Sequence, residues 1–192
     1  VSVTTQKGGT GKTTTTHNLG AALGRRGHRV LLIDLDPEGY LTECTGHRDA
    51  YDGDGPTLRD ALLGEAPISE AILSDELFDI APAHADMAAP PALDTALSNA
   101  EGGGSALRTA LEDVREQYDY VIVDCPPSLG ILVDVALVAC PNVVVPAKAA
   151  GSSRRALELL LDKVQAVESA HDVTVRPLAV LINEFRPGEG VS

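Results

Sequence analysis

Between an opening run of β-branched residues, Val1 to Thr4, and a helical period carried by Leu19, Ala22 and Leu23 lies Lys7-Gly8-Gly9-Thr10-Gly11-Lys12-Thr13-Thr14. Strand, glycine loop and helix in that order leave few ways to fold. Without a Cβ, Gly8, Gly9 and Gly11 let the backbone turn sharply and aim successive N–H groups inward, and the start of the helix adds the positive end of its dipole. Such a loop cradles phosphate, and Lys12 at its end is placed to reach the β- and γ-phosphates of a nucleotide. Counting back from Lys12, the ordinary G-x-x-x-x-G-K-[ST] spacing wants glycine where this chain has Gln6. The segment fits instead a variant with an extra lysine, Lys7. An incidental glycine turn would put two cations in one narrow loop of a chain whose other lysines are only Lys148 and Lys163.

The remaining sequence alternates strand-like and helical patterns. Val1 to Thr4, Arg29 to Ile33, Leu77 to Ala81, Tyr120 to Val123, Asn142 to Val145 and Pro177 to Ile182 read as strands, several of them apolar on both faces. Leu107, Ala110, Leu111 and Val114 keep the spacing of one helical face, as do Leu157, Leu160, Leu161 and Val164. This alternation predicts an α/β fold of three layers, a mostly parallel central sheet flanked by helices, with ligands beyond the carboxyl ends of the strands. Thr45 to Pro56 and Glu101 to Ser105 read as surface loops. With no internal repeat, residues 1–192 are expected to form one domain. Val1 is not a methionine and Ser192 follows a Pro-Gly loop, so either end is expected to lack native residues, the C-terminal one above all.

Charge narrows the partners. Fifteen Lys and Arg against 28 Asp and Glu leave a net charge of −13, which repels nucleic acid unless a local basic patch overcomes it. Few lysines amid many carboxylates suit a protein hydrated in concentrated salt, and a halophilic source is the expectation. Cys44, Cys125 and Cys140 fit neither a disulfide framework nor a zinc site, and read as reduced small residues. No apolar run has the length of a membrane helix and no signal segment opens the chain, so a cytoplasmic location with no integral membrane segment is expected.

Three further motifs follow strands. Asp34-Leu35-Asp36-Pro37-Glu38-Gly39-Tyr40-Leu41-Thr42 ends the second, where the carboxylate of Asp36 can orient an attacking water. Tyr120-Val121-Ile122-Val123-Asp124 ends in a carboxylate suited to hold Mg²⁺ through water, and Cys125-Pro126-Pro127-Ser128 closes it. Asn183 ends the last strand and reads either as an amide facing a purine edge or as a turn residue. Arg154 and Arg155, like Arg186, read either as a contact to a dimer partner or DNA, or as a solvated face.

Together these motifs resemble the ParA/MinD superfamily of P-loop ATPases with the deviant Walker A sequence K-G-G-x-G-K-[ST], and most closely its ParA/Soj type. The resemblance implies ATP and Mg²⁺ as cofactors, bound by Gly8, Gly9, Thr10, Gly11, Lys12, Thr13, Thr14 and Asn183, with Thr13, Asp36 and Asp124 around the metal. It implies a Mg²⁺-dependent ATPase in which Lys12 serves its own nucleotide, Lys7 reaches the phosphates of a partner in an ATP-dependent homodimer, and Asp36 is the catalytic aspartate. Glu38 and Tyr40 stand where the family commonly has Gln and Asn, which bears on the rate of hydrolysis.

The implied role is chromosome or plasmid partitioning: the dimer holds DNA non-specifically, on the nucleoid, and a ParB-like adaptor stimulates hydrolysis. The alternatives are a MinD-like ATPase positioning cell division at a membrane, and a nucleotide-binding scaffold or carrier. A lipid-docking amphipathic tail is absent before Ser192, and a metal-cluster carrier would need paired cysteines.

Overall fold

The strand Val30–Asp34 (β2) is apolar on both faces, and both are covered. Leu31 and Ile33 enter one core, Val30 and Leu32 the other, which is the signature of a sheet sandwiched between helices. The computed structural model describes residues 1–88, 90–149 and 152–184. Its other strands are β1 (Ser2–Val3), β3 (Leu73–Ser74), β4 (Asp79–Ala81), β5 (Tyr120–Asp124), β6 (Asn142–Lys148) and β7 (Arg176–Asn183). They form one sheet in the order β3-β4-β2-β5-β1-β6-β7, parallel throughout except for β3 against β4. The predicted α/β three-layer class is therefore the observed one.

Helices α1 (Lys12–Gly24), α2 (Tyr40–Cys44), α3 (Arg48–Tyr51), α4 (Leu58–Leu63), α5 (Pro90–Asn99), α6 (Ala106–Ala110), α7 (Ile131–Ala139) and α8 (Ser152–Ala170) complete the described regular structure, with short 3₁₀ turns. The larger core lies under α4 to α8, and the smaller one under α1, where Ala21 packs with Leu32, Phe78 and Ile122. Pro146 is tolerated inside the sheet because β1 pairs with β6 only as far as Val144, so the missing N–H faces no ladder partner on that side. Across the other edge of β6, a bulge between Val143 and Val144 accommodates Leu178.

Several sequence expectations shift. The segment Leu77 to Ala81 is a strand only from Asp79, paired with the unexpected two-residue β3. The helix of Leu107 to Val114 stops at Ala110. Beyond it hydrogen bonds alternate between i−4 and i−3 partners, Leu111 to Leu107 and Val114 to Leu111, yet Leu107, Leu111 and Val114 remain buried. Leu161 does not share the buried face of Leu160; it is 46% exposed. In α1 the buried positions are Lys12, Thr16, Gly20 and Ala21, while Ala22 is exposed. Thr45 to Pro56 contains α3. Gly103 and Gly104 are buried, contrary to a surface loop, because the end of α5 approaches so closely that a Cβ on Gly103 would overlap the Leu97 carbonyl. Arg186 lies outside the described residues.

Candidate nucleotide site

β1 is the strand at which the order of the sheet turns back, with β5 on one side and β6 on the other, so its carboxyl end opens into a crevice. The Gly8–Thr14 loop fills that end. Gly9 and Gly11 stand at φ 67° and 92°, the left-handed region, and Gly11 is the N-cap residue just before α1. A side chain at Gly11 would be strained by that backbone angle, and its Cβ would lie 2.7 Å from Asn183 Nδ2, forcing the amide off the loop. The loop is braced from within, the Thr10 hydroxyl donating to the Lys7 carbonyl (3.3 Å) and the Thr15 hydroxyl to Gly11 (2.7 Å). Asn183 braces it from outside, its amide donating to the Thr10 carbonyl at 2.6 Å across the end of the sheet.

A cavity of about 810 Å³ opens over this loop. Every residue from Gly8 to Thr14 lines it, together with Asp36, Glu38 and Tyr40 from the segment after β2 and Asn183 from β7. Three distant parts of the sequence thus share one concavity of the size that holds a nucleotide-sized ligand. Lys7, half-buried at the start of the loop, and Asp124, fully buried beneath it, are not on the wall itself.

Asp124 ends β5 beside Asp34, which ends β2, the two being register partners on adjacent strands. One Asp124 oxygen accepts from the Thr16 hydroxyl at 3.4 Å, while Oδ2, fully enclosed, has no hydrogen-bond partner among the described residues. Burial pushes the Asp124 carboxyl up to about 6 against the opposing pull of the Thr13 hydroxyl and the Lys12 ammonium. A buried carboxylate with one oxygen short of a well-formed hydrogen bond, beside the Thr13 hydroxyl and the Lys12 ammonium, has the chemistry of a divalent-cation site. Among the described residues no group of three His, Cys, Asp or Glu side chains is placed to hold a metal ion, so such a cation would draw the rest of its ligands from phosphate and water.

The segment after β2 is held by residues to which the sequence assigned no role. Asp34, fully buried, accepts from the Thr42 backbone N–H (2.8 Å) and hydroxyl (2.7 Å) and from the Asp36 N–H (3.2 Å). Thr42 in turn accepts from the Ala83 N–H at 2.9 Å, tying the segment to the end of β4. The Tyr51 hydroxyl donates to the Pro37 carbonyl at 2.8 Å, and its ring lies against Gly39. Asp36 is thereby fixed at the cavity wall, its Oδ1 accepting from the Glu38 N–H at 3.2 Å; burial raises its carboxyl above the usual carboxylate range while Lys12 lowers it. The D-x-D spacing and the threonine eight residues on carried the signal for the Asp34–Thr42 tie; Tyr51 left none.

Cys125 and Cys140 are buried free thiols, and burial holds the Cys125 thiol far above the ordinary range, in keeping with packed, unreactive side chains. Cys44 is exposed at the cavity mouth. Arg154 and Arg155 are exposed and both pair with Glu158, at 3.1 and 3.5 Å. Among the described residues no helix is long and apolar enough to cross a membrane.

A phosphate-type glycine loop at the switch point of a parallel sheet, with a carboxylate ending the neighbouring strand, defines the P-loop nucleotide-binding class. The AAA_31 family model, an AAA domain, matches residues 1–176, and the chain belongs to that family, within the ParA/MinD superfamily of P-loop ATPases. It is 38% identical over 174 residues to the chromosome partitioning protein ParA of Caulobacter vibrioides, covering 88% of this chain and 63% of that protein. It is 37% identical over 183 residues to the cell division protein PomZ of Myxococcus xanthus, covering 93% of this chain and 55% of PomZ. Among solved structures it is similar to cobyrinic acid a,c-diamide synthase of Mycobacterium smegmatis with bound ADP and magnesium, with a TM-score of 0.81, 36% identity, and coverage of 94% of this chain and 70% of that one. The chain spans less than two thirds of the length of the curated relatives it matches.

Proposed function

We propose that this chain binds ATP with Mg²⁺ over the Gly8–Thr14 loop, hydrolyses it, and uses the γ-phosphate to switch between a monomer and a nucleotide-bridged homodimer, as a ParA/Soj-type partition ATPase. The observation that carries the reading is the convergence of the glycine loop, Asp36 and Asn183 on one cavity above the unpartnered Oδ2 of Asp124. Backbone N–H groups of the loop and the Lys12 ammonium bind phosphate oxygens. Thr13 and Asp124 would hold Mg²⁺, which when bound neutralises charge on the β- and γ-phosphates. Asp36, fixed through Asp34, Thr42 and Tyr51, orients the water that attacks. Asn183, with one amide hydrogen on the loop, keeps its carbonyl oxygen for the base. Lys7 acts across the dimer.

The likeness to ParA supports DNA as the surface on which the dimer works and a ParB-like adaptor as the partner that triggers hydrolysis. The charge of −13 opposes non-specific DNA binding, and Glu158, paired with both Arg154 and Arg155, dilutes the one arginine pair on α8. Lys12→Ala tests the site: loss of ATP binding is expected, and unchanged affinity overturns the assignment. Duplex DNA titrated against the ATP-bound protein from low to molar KCl tests the partition role. Binding that weakens steeply with salt supports it; no binding at any salt removes DNA and leaves a protein or membrane surface.

A further inference from the structure

The chain carries few lysines, and three of them meet at one loop. Lys7 and Lys12 bracket the glycine turn in sequence, whereas Lys148, the last residue of β6, arrives through the fold. A Cβ built on Gly9 would lie 3.9 Å from Lys148 Nζ. The fourth, Lys163, is occupied elsewhere, 2.6 Å from Asp134 Oδ1.

Lys148 Nζ is paired at 2.7 Å with Glu184 Oε1. Glu184 directly follows β7 and stands at φ 56°, the only non-glycine among the described residues in the left-handed region, a conformation of real energetic cost for such a residue. Gly9 and Glu184 both line the nucleotide cavity, so the ammonium, though not itself on the wall, lies close to two residues that are. The Glu184 side chain is 63% exposed and the Lys148 side chain 29%. A single, largely hydrated carboxylate is a weak rival for that ammonium when a polyphosphate with several charges lies on the loop. Lysine, a compact charge on a flexible stem with three donors, can change partner by side-chain rotation alone.

We propose that Lys148 is a third cation of the phosphate site: on binding of a nucleoside polyphosphate it exchanges Glu184 for phosphate oxygens, and Glu184 sets how readily it does so. This rests on the reading of the Gly8–Thr14 loop as a phosphate cradle. No sequence motif marks it, since Lys148 and Glu184 come from the ends of two different strands.

The test is the affinity of ATP, ADP and AMP, with Mg²⁺ and at one fixed KCl concentration, for the full chain and for Lys148→Gln, Glu184→Gln, the double variant and Lys12→Ala, each checked for an unchanged melting temperature within a few degrees. Lys148→Gln is expected to weaken ATP and ADP about tenfold, the scale of one lost charge-assisted contact, and to leave AMP within about twofold. Glu184→Gln is expected to tighten ATP by a few fold, and the double variant to behave as Lys148→Gln. Equal weakening of all three nucleotides by both single variants makes the pair structural and overturns the proposal, as does unchanged ATP affinity in Lys148→Gln. If Lys12→Ala binds ATP like the parent protein, the cradle reading itself fails, whatever Lys148 does.

Discussion

Asp34 and Asp124 end adjacent strands as register partners, both fully buried, and this pairing gives the fold a pH dependence that one substitution isolates. Burial, and then the neighbouring Asp124 charge, push the Asp34 carboxyl from 3.8 up to about 7. Between those two values the folded chain keeps a proton that the unfolded chain has lost, so stability falls as pH rises, from its full value below the unfolded pKa to its loss above about 7. At about 1.36 kcal/mol per unit, the shift corresponds to roughly 4 kcal/mol over that window. Asp34→Asn removes the titration and keeps an oxygen for the Thr42 N–H and hydroxyl. Its amide nitrogen meets the Asp36 N–H, a penalty of about 1–2 kcal/mol that does not change with pH. The assay is urea unfolding of both proteins at constant KCl from about pH 4.5 to 8, read as a difference so that carboxylates not coupled to Asp34 cancel and the result reports the Asp34–Asp124 pair. The Asn variant should gain on the parent by a few kcal/mol across the range, nearly all of it below about pH 7. A difference flat to within about 0.5 kcal/mol would refute the argument that burial beside Asp124 raises Asp34.

Three further substitutions probe the parts separately. Gly11→Ala places a Cβ at φ 92° and 2.7 Å from Asn183 Nδ2, and should lower unfolding stability by at least about 1–2 kcal/mol and nucleotide affinity with it; an unchanged urea midpoint contradicts the conformation described. Tyr51→Phe removes only the hydrogen bond to the Pro37 carbonyl and should slow ATP turnover several-fold, about 1 kcal/mol, while leaving nucleotide affinity in place; equal turnover removes Tyr51 from positioning Asp36. Thr57 caps α4, its hydroxyl accepting from the Asp60 N–H at 3.2 Å while Asp60 accepts from the Thr57 N–H at 2.9 Å, so Thr57→Ala should cost about 1 kcal/mol in urea unfolding without touching the nucleotide site.

What the sequence revealed was what depends on neighbours along the chain. Gly8 to Thr14, the D-x-D after β2 and the strand ending in Asp124 are contiguous patterns, and their order alone indicated a crevice at the carboxyl ends of parallel strands. What it hid depends on pairing between strands. Nothing in the order of residues shows that Asp34 stands beside Asp124, that Asn183 donates to Thr10, or that Lys148 comes close to Gly9. Periodicity also cannot tell an α-helix from tighter turns when both bury Leu107, Leu111 and Val114, and it cannot detect a strand of two residues such as β3. The unexpectedly buried face of α1 follows from Thr16 reaching Asp124 and Gly20 fitting against Leu32, contacts that carry no hydrophobic signature.

The claim on which the rest depends is that ATP in this cavity drives two chains together. The most direct measurement is the mass in solution of the Asp36→Ala protein, in which hydrolysis is expected to be slowed, with saturating ATP and Mg²⁺ and again with ADP, in KCl from low to molar. A dimer with ATP and a monomer with ADP are expected, with a return to monomer in ATP when Lys7→Ala is added. A monomer with ATP at every salt concentration, in a protein that demonstrably binds it, contradicts the account.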